Sequence, residues 1–105
     1  MTIIYKYRIS NFGNTILSAP IIKPLKIDYQ DENPFLWAFV DTEKLPEEWA
    51  VTKIGTGWDI DEINNCNPVS NATIELDCYL NTTFEPGTPY VWHWFCRPLI
   101  QSMDL

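Results

Sequence analysis

His93 is the sole histidine of a 105-residue chain, so any Cys-His or Ser-His nucleophilic site would have to be built on it. It stands between Trp92 and Trp94 in an alternating run, the setting of a structural imidazole rather than a general base. No catalytic residue is therefore expected, nor is the chain expected to be an enzyme. Asp59, Asp61 and Glu62 place three carboxylates within four positions. They lack the ligand ladder of a calcium loop and have no histidine beside them to favour zinc, so a solvated acidic turn without metal or cofactor is expected. Gly55-Thr56-Gly57 resembles a phosphate-cradling loop in its glycines but has neither the length nor the lysine of a P-loop. The simpler expectation is that both glycines leave a strand through positive φ while Thr56 makes a local turn bond. Trp58 follows directly. A bulky aromatic on a turn beside acids is the kind of residue that anchors a recognition surface.

Charge narrows the partners. Seven Lys and Arg against fourteen Asp and Glu leave a net charge of -7. Through Lys53 the chain carries six bases against seven acids, whereas from Ile54 onward Arg97 alone opposes seven acids. Phosphate neutralisation needs clustered cations, so direct binding of duplex nucleic acid is not expected, and an anionic nucleotide would be a poor ligand unless Lys6, Arg8, Lys23 and Lys26 converge. A partner with a basic surface suits the later half better. Cys66, Cys78 and Cys96 fit neither a zinc ribbon nor a Cys-x-x-Cys pair, as in a reducing compartment, with Cys78 and Cys96 read as small hydrophobes on apolar strand faces. Met1 to Tyr7 has no apolar stretch of the kind that directs secretion, and no apolar run approaches the roughly 18 residues of a membrane span. On that reading the protein works in the cytoplasm, away from membranes, and Asn71-Ala72-Thr73 and Asn81-Thr82-Thr83 are chance matches to the glycosylation pattern.

The elements that position these residues repeat with period two and almost never with period 3.6, which predicts an all-β fold. Ile3, Tyr5, Tyr7 and Ile9 share one face and Lys6 and Arg8 the other, a half-buried first strand. Strands follow at Thr15 to Ala19, around Leu25 to Gln30 and, after a turn at Asp31 to Pro34, at Phe35 to Val40. That fourth segment is apolar on both faces and is expected to be central, with the core organised around it. Trp49 to Ile54 makes a fifth strand, Asp59 to Asn64 the one plausible helical turn, and Asn65 to Asn71 a loop. Ile74, Leu76, Cys78 and Leu80 alternate with Glu75, Asp77 and Tyr79 as a sixth strand, joined by the turn Glu85 to Pro89 to a seventh at Tyr90 to Arg97. On that last strand Tyr90, Trp92, Trp94 and Cys96 point one way and Val91, His93 and Phe95 the other, so both faces should be covered. One domain over residues 1–97 is expected, with about seven mainly antiparallel strands in a sandwich or partly open barrel and residues 98–105 as a tail.

Four stretches carry a resemblance: Ile4-Tyr5-Lys6-Tyr7, Leu36-Trp37-Ala38-Phe39-Val40-Asp41, Gly55-Thr56-Gly57 with Ile60, and Val91-Trp92-His93-Trp94-Phe95. Together they resemble an uncharacterised family of small single-domain proteins encoded mainly by bacteriophages and prophages. Members of that family often carry His directly after the Gly-Thr-Gly, where this chain has Trp58, and this chain is longer between Asn64 and Thr73. The resemblance implies a phage accessory protein and brings no activity with it. The function expected is binding: occlusion of a host protein with a basic surface, as an anti-defence or takeover inhibitor in the host cytoplasm. Asp59, Asp61, Glu62, Glu75 and Asp77 would steer the encounter, and Trp58 or Tyr79 would supply short-range burial. The alternatives are a structural or assembly protein that forms a homo-oligomer and a small-ligand sequestering protein.

Overall fold

The computed structural model describes residues 1–66 and 73–99. In chain order the elements are β1 (Thr2–Arg8), β2 (Thr15–Ala19), β3 (Ile21–Gln30), β4 (Asn33–Asp41), β5 (Glu47–Gly55), α1 (Ile60–Cys66), a 3-10 turn (Leu76–Cys78), β6 (Tyr79–Phe84) and β7 (Val91–Pro98). The strands form two antiparallel sheets, β1-β4-β3 and β2-β5-β7-β6, so the fold is a sandwich and no closed barrel forms. The chain steps from one sheet to the other at Pro20, whose carbonyl accepts from the Asp41 amide. Between the sheets, Ile21, Ile27, Leu36, Ala38 and Val40 pack on Trp49, Val51, Trp94 and Cys96.

β4 is central to its sheet, as its pattern predicts, and Leu36, Ala38 and Val40 are buried. The hairpin into it is tighter than the expected Asp31 to Pro34. Asp31 and Glu32 take φ of 52° and 73°, the mirror-image geometry that a two-residue connection needs, and Asn33 and Pro34 already pair in β4. β7 is covered on both faces. Trp94 and Cys96 enter the core, while Phe95 joins Ile54 and Ile74 in a second apolar cluster on the outer side, closed by Ile60 and Ile63 of α1.

Three readings of the alternation need correction. β1 is an edge strand, paired to β4 alone among the described residues, and Tyr7 alone of its residues is partly covered, with Ile3 and Tyr5 exposed. Residues 73–78 are not a strand: Leu76 to Cys78 coil into a 3-10 turn, and Cys78 sits half-buried there rather than on a strand face. The alternation fails because Asn64 pins Ile74 at both backbone groups, its Nδ2 donating to Ile74 O and its Oδ1 accepting from Ile74 N. The expected loop at Asn65 to Asn71 begins inside α1, and its remainder, 67–71, lies outside the described residues. Of the tail 98–105, Pro98 ends β7 and the Leu99 amide donates to Glu48 O, with 100–105 outside the described residues.

Asn81 joins the sheets along one side. Its Oδ1 accepts from the Ile27 amide at 2.9 Å and its Nδ2 donates to the Ile27 carbonyl at 2.8 Å, which replaces a strand pairing on the free edge of β3. The amide that matches a glycosylation pattern is thus a structural clasp.

Candidate functional site

β5 ends at Gly55, opposite Trp92 of β7, and the turn that follows throws Trp58 back over that end. A Cβ on Gly55 would lie 2.6 Å from the Trp58 Nε1, so glycine is required here by the close approach of the indole and not by positive φ. Gly57, at φ 86°, does use the left-handed region. Thr56 makes no local turn bond; the Trp58 amide closes the turn on Gly55 O, and Thr56 Oγ1 instead meets His93 Nε2 at 2.7 Å. Trp58 stands edge-on to Trp92, ring centres 5.6 Å apart, and remains 53% exposed. Four clefts meet at its ring: one of about 500 Å³ toward Phe12, Lys53 and Glu62, one of about 280 Å³ over His93 and Tyr79, one of about 430 Å³ beside Tyr90 and Trp92, and one of about 420 Å³ toward Asp61 and Leu76.

The sequence-selected residues divide around this ring. Asp59 lines two of the clefts and caps α1, its Oδ1 accepting from the Glu62 amide at 3.2 Å. Asp61 and Glu62 are exposed in the first turn of α1 and each borders one cleft. Tyr79 stacks edge-on to Phe95 and lines the His93 hollow together with Trp58. Glu75 and Asp77 border none of the four clefts; the Glu75 carboxylate lies 3.9 Å from buried Arg97, and Asp77 is exposed on the 3-10 turn. Among the described residues no Lys or Arg stands within ion-pair distance of Asp59, Asp61, Glu62 or Asp77. None of the acids around α1 is thus held in a salt bridge among the described residues, although Lys53 lines the same cleft as Asp59 and Glu62.

His93 has both ring nitrogens engaged by hydroxyls, Nε2 by Thr56 and Nδ1 by Thr82 at 2.8 Å, and Thr82 Oγ1 is in turn 2.6 Å from the Tyr79 hydroxyl. A neutral imidazole has one donor and one acceptor, so two threonines saturate it. Among the described residues no three His, Cys, Asp or Glu side chains group as metal ligands would. No helix among them is long and apolar enough to cross a membrane.

The chain belongs to the family described as Domain of unknown function (DUF7352), whose model matches residues 1–102. No curated protein and no solved structure matches it. Membership bears out the resemblance to an uncharacterised family of small single-domain proteins.

Two features escape the one-dimensional reading. Lys53 is buried, its Nζ 4.0 Å from the centre of the Trp92 ring and donating to Asn11 O at 2.7 Å; burial lowers its pKa, against the opposing pull of the Glu85 carboxylate. The signal that could have found it is the alternation Trp49, Val51, Lys53, whose residues share one strand face. The second feature lies on the other sheet. Register sets Lys6 and Lys26 on either side of Trp37, Arg8 and Asp28 beside Phe35, and Lys23 beside Phe39, all on the outward face. Lys6, Arg8, Lys23 and Lys26, which an anionic nucleotide would need to converge, thus share one face but are spread along the row from Phe35 to Phe39.

Proposed function

We propose that this protein is a bacteriophage accessory protein that acts by binding, with the Trp58 surface covering a basic patch on a host protein in the host cytoplasm. The observation that carries this reading is Trp58 itself: a half-exposed indole at the meeting point of four clefts, seated over Gly55 and against Trp92. An aromatic anchor already in place loses little freedom on binding. Asp59, Asp61 and Glu62 rim it with carboxylates that form no salt bridge among the described residues, which speeds encounter with a basic surface. Inhibition then needs no turnover and no cofactor, since occupancy is the effect. The test is capture from infected host cells with wild-type bait, Asp59→Lys/Asp61→Lys/Glu62→Lys and Trp58→Ala. A host protein held by the wild type, released by rising salt and lost from both variants supports the reading. Equal recovery on all three baits overturns it.

A homo-oligomeric phage assembly is the second reading, favoured by one observation. β1 is an uncovered edge that exposes Ile3, Ile4 and Tyr5, a surface suited to strand addition by another copy. Light scattering of the pure protein separates the two: a stable ring dissociated by Ile4→Lys favours assembly, and a monomer favours the binding protein.

A further inference from the structure

We infer that the outward face of the β1-β4-β3 sheet is a binding site for single-stranded nucleic acid, a second activity on the side of the molecule away from Trp58. Phe35, Trp37 and Phe39 alternate along β4, the middle strand, and form a row of rings on that face. Phe35 and Trp37 are half-buried and Phe39 exposed, and the cover on the first two includes a side chain rather than another layer: Lys6 Nζ lies 4.8 Å and 5.5 Å from their ring centres. Four of the seven basic residues of a chain with net charge -7 border the row, Lys6 and Arg8 from β1 and Lys23 and Lys26 from β3.

The partners of these cations are weak competitors for phosphate. Lys6 donates to the Gln30 amide oxygen and Arg8 to that of Asn33, both neutral acceptors, while Lys26 has an exposed pair with Asp28 at 3.6 Å. Acids close the row at both ends. Asp31 and Glu32 occupy the hairpin, and Asp41 and Glu43 hold the terminal amine of Met1. The usable site is thus the middle of the strand.

Spacing selects the ligand. Rings two residues apart on a strand recur about every 6.8 Å, roughly twice the 3.4 Å rise of stacked bases in a duplex. Successive rings can therefore take bases already separated from one another, and not a stacked helix. Three rings flanked by cations on both sides also outreach a mononucleotide, whose single base would leave the others bare. Stacking on aromatics with a charged border is the usual chemistry of sequence-tolerant single-strand binding.

The test is fluorescence anisotropy of a labelled 12-nucleotide oligothymidylate with the full chain, with a mixed-sequence 12-base-pair duplex and ATP as competitors. Expected are binding at low salt that falls with a log-log slope of about -2 to -3, at about -0.7 per phosphate neutralised, and competition by neither duplex nor ATP at equal concentration. Trp37→Leu should weaken binding about 10-fold and Lys6→Glu/Lys26→Glu should abolish it, both with an unchanged circular dichroism spectrum. Trp58→Ala should bind the oligonucleotide as the wild type does, so failure here leaves the host-protein reading standing and failure there leaves this one. Equal affinity for duplex, displacement by stoichiometric ATP, or wild-type binding by both face variants would overturn the inference.

Discussion

β4 and β7 are both apolar on two faces, yet only one of them is covered twice. The outer side of β7 receives α1 and Ile74, which bury Phe95 and Ile54 and leave the acids of the helix pointing outward. The outer side of β4 receives no such layer among the described residues; Lys6 reaches over Phe35 and Trp37 instead. A doubly apolar strand thus signals a need for cover, and whether that cover is a helix or a flexible cation decides if the second face becomes core or a place to bind. The same division separates charge: carboxylates outside any salt bridge among the described residues gather around Trp58, and four of the cations flank the row from Phe35 to Phe39.

Paired substitutions on the two faces sharpen this contrast. Trp94 has 0% exposure and its Nε1 donates to Thr83 Oγ1, so Trp94→Ala should lower the unfolding free energy by about 3–5 kcal/mol in urea titration. Trp37→Ala, half-buried under its lysine, should cost less, about 2 kcal/mol. Equal losses would mean that the outer face of β4 is core after all. Asn81→Ala leaves the amide and carbonyl of Ile27 without the clasp and should cost about 2–3 kcal/mol, with no gain from replacing it by Asp, which cannot donate to the carbonyl.

Titration distinguishes the interior from both faces. Burial raises the Cys96 thiol from 9.0 to about 12 and the Tyr29 hydroxyl from 10.0 to about 12, with the Glu85 carboxylate adding to the latter. Both groups hold their protons more tightly folded than unfolded. The stability this brings is complete below pH 9.0 and is lost as pH climbs toward about 12, so chemical denaturation midpoints should fall across that window. Alkylation at pH 8 should label exposed Cys66 first and Cys96 only on unfolding. The smallest effect is expected at the helix that covers β7: Asp59→Ala removes the α1 cap and should cost about 1 kcal/mol by thermal melting.

Much of this architecture is legible in the sequence, because period two reports faces directly. Six of the seven strands, the central place of Phe35 to Val40 and the opposed faces of Trp94 and Phe95 all follow from it, whereas β6 runs over Tyr79–Phe84 and shares only its first two residues with the alternation that starts at Ile74. Register does not, since it depends on which strands meet: Lys6 and Lys26 are both seen to point away from the core, but only their shared pairing with Trp37 makes them neighbours. Residues 73–78 show the opposite failure. Their alternation is real, but one side chain, Asn64, holds the backbone of Ile74 and competes with strand pairing. At the candidate site, Trp58 and the acids of α1 are visible as types, whereas Gly55 as the seat of the indole follows only from how the turn folds Trp58 back over the strand end.

The most direct test of the host-protein reading is an amide and indole shift map of the ¹⁵N-labelled chain titrated with an arginine-rich peptide, which stands in for a basic protein surface. The Trp58 indole and the amides of Asp59 to Ile63 should move together and saturate, while those of Lys6, Lys26 and Trp37 stay still. Diffuse shifts at every exposed acid, or a Trp58 indole that does not respond, would contradict an anchored acidic site.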